Sequence, residues 1–140
     1  LFRSIEAQNI YKQARSLTVL CGMIQAKMAK THKYCLGQDL RRCITDVCKS
    51  LRRAWRLLQF PEAQLNELDA LVTLCDEVII NLQAADDQNV VARNYYVDAI
   101  CEAYKLLEQS IAWHTSLYAK IHGVDKQEEM NRINGNVPMS

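Results

Sequence analysis

Leu36, Leu40, Ile44, Val47, Leu51, Ala54 and Leu58 recur at steps of three and four residues, with mostly polar and charged residues between them. That spacing lines the apolar side chains along one face of an α-helix, whereas the twofold period of a strand would scatter them over both faces. The series stops at Phe60-Pro61, because the residue before a proline resists the α conformation. A helix from about Leu36 to Leu58 is therefore predicted, and a chain built on such one-sided helices must bury each seam against another.

Three further seams answer that demand. Ile10, Ala14, Leu17, Cys21, Ile24 and Met28 mark a helix from Ser4, its N-cap, to Ala29. Pro61 opens a third helix, with Glu62 and Glu67 near its positive end and a seam of Leu65, Leu68, Val72, Cys75, Ile79 and Leu82. Leu71, Leu74 and Val78 widen that face to about half the circumference, so this helix either sits centrally or meets another chain. After Ala85-Asp-Asp-Gln-Asn89, a fourth helix runs from about Val91 to Ile121 through Val97, Ile100, Tyr104, Leu107, Ile111 and Tyr118, with Gly123 as its stop. Short connections between four long helices predict an all-α, up-down-up-down four-helix bundle over residues 1–122. Residues 123–140 read as a polar, loose tail.

The 140 residues are one domain's worth, with only 4 Gly and 2 Pro. The longest apolar runs fall far short of a membrane span, and no charged segment leading into an apolar one opens the chain. No membrane partner, no secretory leader and a cytoplasmic setting are expected. Cys21, Cys35, Cys43, Cys48, Cys75 and Cys101 fall mostly on apolar helical positions and read as reduced core thiols rather than a disulfide framework.

The net charge of +1 hides a split. Residues 1–60 hold 12 Lys/Arg against 3 Asp/Glu, a net +9, and residues 61–140 hold 5 against 13, a net −8. On the second helix, Arg41, Arg52, Arg56, Lys49, Arg42 and Arg53 fall in that order within about 120° of arc, opposite the apolar seam. Asp46 is the one acid close to them. A helix solvated for its own sake mixes signs to gain pairs along its face, and this one does not. Lys30 and Lys33 carry the charge into the preceding loop. Lys30, Lys33, Arg41, Arg42, Lys49, Arg52, Arg53 and Arg56 are thus candidates for binding nucleic-acid phosphates. The alternative is a solvated face neutralised by an acidic helix or a neighbouring subunit. No aromatic ladder accompanies the stripe, and Trp55 lies nearer the seam, so sequence-specific readout is not expected.

Catalytic signals are absent from the sequence. His32-x2-Cys35, Cys43-x4-Cys48 and His114 lack zinc-type spacing. No phosphate-binding glycine loop or nucleophile elbow occurs. Asp76, Glu77, Asp86 and Asp87 are adjacent pairs that diverge on a helix or lie in a turn, and His114 and His122 read as surface or helix-end histidines. No enzyme activity, metal or cofactor is expected.

The run Lys30-Thr-His-Lys-Tyr-Cys-Leu-Gly-Gln-Asp-Leu-Arg-Arg42 resembles the hallmark of the Avd-like four-helix bundles, the accessory variability determinants of diversity-generating retroelements. There a basic loop with an aromatic runs into Leu-Gly-x-x-Leu-Arg; Tyr34, Leu36, Gly37, Leu40 and Arg41 match. Ala54-Trp55-Arg56 is similar to the Ala-Asn-Arg closing that helix, with Trp in place of Asn. Tyr95 or Tyr96 fits a tyrosine opening helix four, and Ile111-Ala112-Trp113-His-Thr-Ser116 resembles a Gly-Gly-Trp-x-x-Ser ending. Asn81 stands where an arginine is usual in helix three. The bundles encoded in ribosomal-RNA intervening sequences share the architecture. The resemblance implies a non-catalytic bacterial, archaeal or phage-encoded protein, assembled as a ring-like homopentamer. Its implied partners are a reverse transcriptase and its template RNA, whose mutagenic copying it supports. A helical protein-interaction scaffold without direct nucleic-acid binding is the competing reading.

Overall fold

The structure, a computed structural model, describes residues 5–123, 130–131 and 133–135. It is an all-α four-helix bundle, with α1 at Ile5–Lys27, α2 at Gln38–Arg56, α3 at Pro61–Asp87 and α4 at Arg93–His122. Each helix packs on its chain neighbours, and α1 packs on α4 to close the bundle. Short links force antiparallel neighbours, which is the up-down-up-down order.

The first two seams lie in the core as their spacing predicts. Ile10, Ala14, Leu17, Cys21, Ile24 and Met28 of α1 are buried, as are Leu40, Ile44, Val47, Leu51 and Ala54 of α2. Leu36 is half-buried just ahead of α2. Leu58 is not part of the seam: α2 ends at Arg56, and Leu58 is left 42% exposed in the turn before Pro61. That turn is tied down by Gln64, fully enclosed, whose Nε2 donates to the Ala54 carbonyl at 2.9 Å. The bond meets one of the carbonyls a helix end leaves without an intrahelical partner.

Most of the broad arc of α3 is taken up inside the bundle, with Val72 and Leu74 only half-buried. Leu65, Leu68, Leu71, Cys75, Val78, Ile79, Leu82 and Ala85 are buried between α2 and α4, and Ile80 alone of its large apolar side chains stands mostly exposed, at 62%. The turn into α4 holds Asn89 at φ 56, a left-handed position asparagine tolerates better than most residues. Arg93 closes it with two hydrogen bonds to the Asp86 carboxylate, at 3.0 and 3.1 Å.

The expected seam of α4 is corrected. Val97 and Tyr104 are 43% and 44% exposed, and the buried line is Ala99, Ala103, Leu106, Ser110, Ile111, His114 and Thr115. Ile100 and Leu107 are only half-buried beside it. Small residues let α4 approach its neighbours closely. Of its buried polar residues, Ser110 is satisfied locally, donating to the Leu106 carbonyl at 2.8 Å, whereas the buried Thr115 hydroxyl meets no hydrogen-bond partner among the described residues. His114, expected at the surface or a helix end, is buried mid-helix and holds Asp69 Oδ1 of α3 at 3.3 Å through Nε2.

All six cysteines are free. Cys21, Cys43 and Cys75 are buried and Cys48 is half-buried, but Cys35 and Cys101 are exposed, so the core-thiol expectation holds for only part of the set. Of the expected tail, residues 124–129, 132 and 136–140 lie outside the described residues; Met130, Asn131 and Ile133 are helical, and Gly123 ends α4 at φ 66. Among the described residues no helix is long and apolar enough to cross a membrane.

Candidate nucleic-acid interface

The segment expected to be a basic loop is helical. Lys30–His32 form one α-turn and Lys33–Gly37 a π-helical turn that runs straight into α2. A π turn carries one residue more per hydrogen-bonded ring than an α turn, is uncommon, and occurs often at functional sites. It needs a reason here, and the reason lies in Gly37 and Gln25.

Gly37 is buried against α1. A Cβ there would stand 2.6 Å from Gln25 Cγ and 3.0 Å from Met28 Sδ, so any side chain at 37 would displace the side chains of Gln25 in α1 and of Met28 at its end. The close approach lets the Gln25 amide reach in two directions. Its Nε2 donates to the Lys33 carbonyl at 3.1 Å, within the π turn, and its Oε1 accepts from Arg41 Nη1 at 3.3 Å. Gln25 thus orients Arg41 without neutralising it. Leu40, one residue earlier, is 1% exposed and anchors the same turn in the core. The Leu-Gly-x-x-Leu-Arg pattern is therefore a packing device that delivers an arginine to the surface in a set orientation.

Arg41 lines an open groove of about 390 Å³ with Arg42, Lys49, Gln38, Asp46 and Tyr34. Tyr34 is 64% exposed. Arg42 meets Asp39 at 3.3 Å, one turn back on the same helix, with both side chains largely in water; such pairs contribute about 0–1 kcal/mol and yield readily to a better anion. Thr45 donates its hydroxyl to the Arg41 carbonyl at 2.8 Å.

The eight candidates thus divide. Arg41, Arg42 and Lys49 come together at the groove. Lys30 is exposed in the turn before it, and Lys33 is half-buried. Arg52 and Arg56 continue the stripe toward the end of α2, exposed and without an ion pair among the described residues. Arg53 leaves the stripe. It sits at the edge nearest α3 and binds Glu67, with Nε 3.0 Å from Oε1 and Nη2 3.5 Å from Oε2. Glu67 also accepts from the buried Ser50 hydroxyl at 2.6 Å. Among the ion pairs of the described residues, this is the one that joins the stripe to the acidic half of the chain.

Gln25 escaped the sequence reading because it lies on another helix and carries no charge. The signal that points to it is Gly37: a glycine inside a helical pattern calls for a neighbour at close range. Tyr34 was legible only through the family resemblance. Of the other aromatics, Tyr95, Tyr96 and Trp113 are half-buried against the core, whereas Phe60 and Tyr104 are exposed away from the groove lining. Lys27 lies 5.4 Å from the Tyr95 ring centre and Arg93 5.3 Å from that of Tyr96.

Nothing in the arrangement gathers ligands for a metal: among the described residues no three His, Cys, Asp or Glu side chains are grouped to hold one. Burial pushes the Cys21 thiol up to about 12, with Cys43 and Cys48 adding to the effect, and the Cys75 thiol to about 12 against the opposing pull of the Ser110 hydroxyl. Neither is poised as a thiolate nucleophile.

No protein-family model matches the chain, and no curated protein or solved structure matches it significantly.

Proposed function

We propose that the chain is a non-catalytic accessory protein of a diversity-generating retroelement, binding its reverse transcriptase and template RNA through the basic face of α2. The observation that carries the reading is the fit of Gln25 under Gly37, which holds Arg41 at a groove shared with Arg42, Lys49 and Tyr34. It gives a physical purpose to the motif on which the family resemblance rests. Five copies in a ring would repeat the face and multiply a modest attraction per subunit.

The test is co-purification. Arg41, Arg42, Lys49 and Arg52 are replaced together by glutamine, which is nearly as good a helix former as arginine or lysine. Arg53 is spared because it holds Glu67. The variant is expected to keep its helical circular dichroism and its oligomeric mass by light scattering, while losing the reverse transcriptase and RNA encoded beside it. A variant that keeps both partners defeats the proposal.

Arg53–Glu67 favours a second reading, because it shows a stripe cation already satisfied by a carboxylate. On that reading the remaining cations meet the acidic face of a neighbouring protein, and the glutamine variant loses its oligomeric mass.

A further inference from the structure

The groove holds an exposed aromatic ring, Tyr34, beside its cations. Tyr34, Arg41, Arg42 and Lys49 line one open groove of about 390 Å³. Cations alone would serve any phosphate backbone. An exposed ring adds something only where a flat partner can lie on it.

A duplex cannot supply that partner, since its base faces are covered by their own stack. An unpaired nucleotide can, because every base presents a π-face that stacks on tyrosine whatever its sequence. The phosphates on either side of such a base match Arg41, Arg42 and Lys49 in charge. Asp46, which also lines the groove one turn from Arg42 and from Lys49, repels phosphate and instead suits the amino edge of a base. Gln25 keeps the Arg41 guanidinium in place before any ligand arrives, at 3.3 Å, without consuming its charge.

We infer that this groove binds an unpaired nucleotide of single-stranded RNA, with the base on the Tyr34 ring and the flanking phosphates on Arg41, Arg42 and Lys49. The inference rests on the nucleic-acid reading proposed above and adds a preference for strand state that cations alone do not create.

The experiment uses the full chain with two probes, a labelled 12-mer of oligouridylate and a 12-base-pair RNA duplex, titrated by fluorescence anisotropy at several salt concentrations. The single strand is expected to bind more tightly than the duplex. Tyr34→Ala is expected to weaken the single strand by about 5- to 150-fold, leave the duplex unchanged and leave the salt slope unchanged. Tyr34→Phe, which keeps the ring, is expected to bind as the parent does. Arg42→Gln and Lys49→Gln are expected to weaken both probes and to lower the single-strand salt slope by about 0.7 each. If Tyr34→Ala binds the single strand like the parent, or the duplex binds as tightly as the single strand, the inference is overturned while the nucleic-acid reading stands. If neither probe binds the parent, both fall, and the groove takes a protein.

Discussion

A β-carbon on residue 37 and the γ-carbon of Gln25 would lie 2.6 Å apart, closer than two carbons in contact can come, so the glycine and the glutamine specify one another. Gly37→Ala forces Gln25 to rotate and give up its bonds to the Lys33 carbonyl and Arg41. Overpacking of this kind costs about 1–3 kcal/mol. Gln25→Ala removes the obstructing atom, so the double variant is expected to be less destabilised than the sum of the singles by at least about 0.5 kcal/mol. Urea unfolding of the four proteins measures the coupling; strict additivity would separate the two residues.

Arg52 and Arg53 are adjacent, equally good helix formers, and differ in what they touch. Arg53→Gln leaves Glu67 with Ser50 alone and is expected to cost about 1 kcal/mol in urea unfolding. Arg52→Gln is expected to stay within about 0.5 kcal/mol of the parent. RNA affinity is expected to move the other way, falling for Arg52→Gln and changing little for Arg53→Gln. Equal effects in both assays would show that the stripe is not divided as described.

The thiols sort by burial. With the chain folded at pH 8, Cys35 and Cys101 are expected to react first with a disulfide reagent, and Cys21 and Cys75 only as fast as the chain unfolds. Cys21 and Cys75 are also raised from an ordinary 9.0 to about 12, so the folded state holds protons that the unfolded state releases. Their contribution to stability is complete below about pH 9 and is lost as pH rises toward 12, at up to about 1.4 kcal/mol per pH unit for each thiol. Cys75→Ala is expected to reduce that slope by about one proton; an unchanged slope between pH 9 and 10.5 would exclude Cys75 as a source.

How far the sequence could be read depended on where each residue's partners lay. The seam of α2 was legible because Leu40, Ile44, Val47 and Leu51 are large, apolar and set among charges. The seam of α4 was displaced toward Val97 and Tyr104 because its true core line uses Ala99, Ala103, Ser110, His114 and Thr115. Alanine contributes little to a hydrophobic pattern, and a buried histidine is recognisable only once Asp69, 45 positions earlier in the chain, is seen beside it. Arg41 and Arg42 stood out by charge. What holds Arg41, and what removes Arg53 from the stripe, depends on contacts with α1 and α3 that no local pattern records.

The length of α2 turns its basic face into a ruler. From Arg41 to Arg56 is fifteen residues, about 22 Å along the helix axis at 1.5 Å each. A stacked strand advances about 3.4 Å per nucleotide, so one subunit spans about six or seven phosphates. Affinity is expected to climb with oligonucleotide length up to about that number and then level off for a single subunit, as a length series from 3 to 12 nucleotides would show. A second rise at greater lengths marks the strand crossing to the next copy, so the spacing of neighbouring subunits becomes measurable in nucleotides.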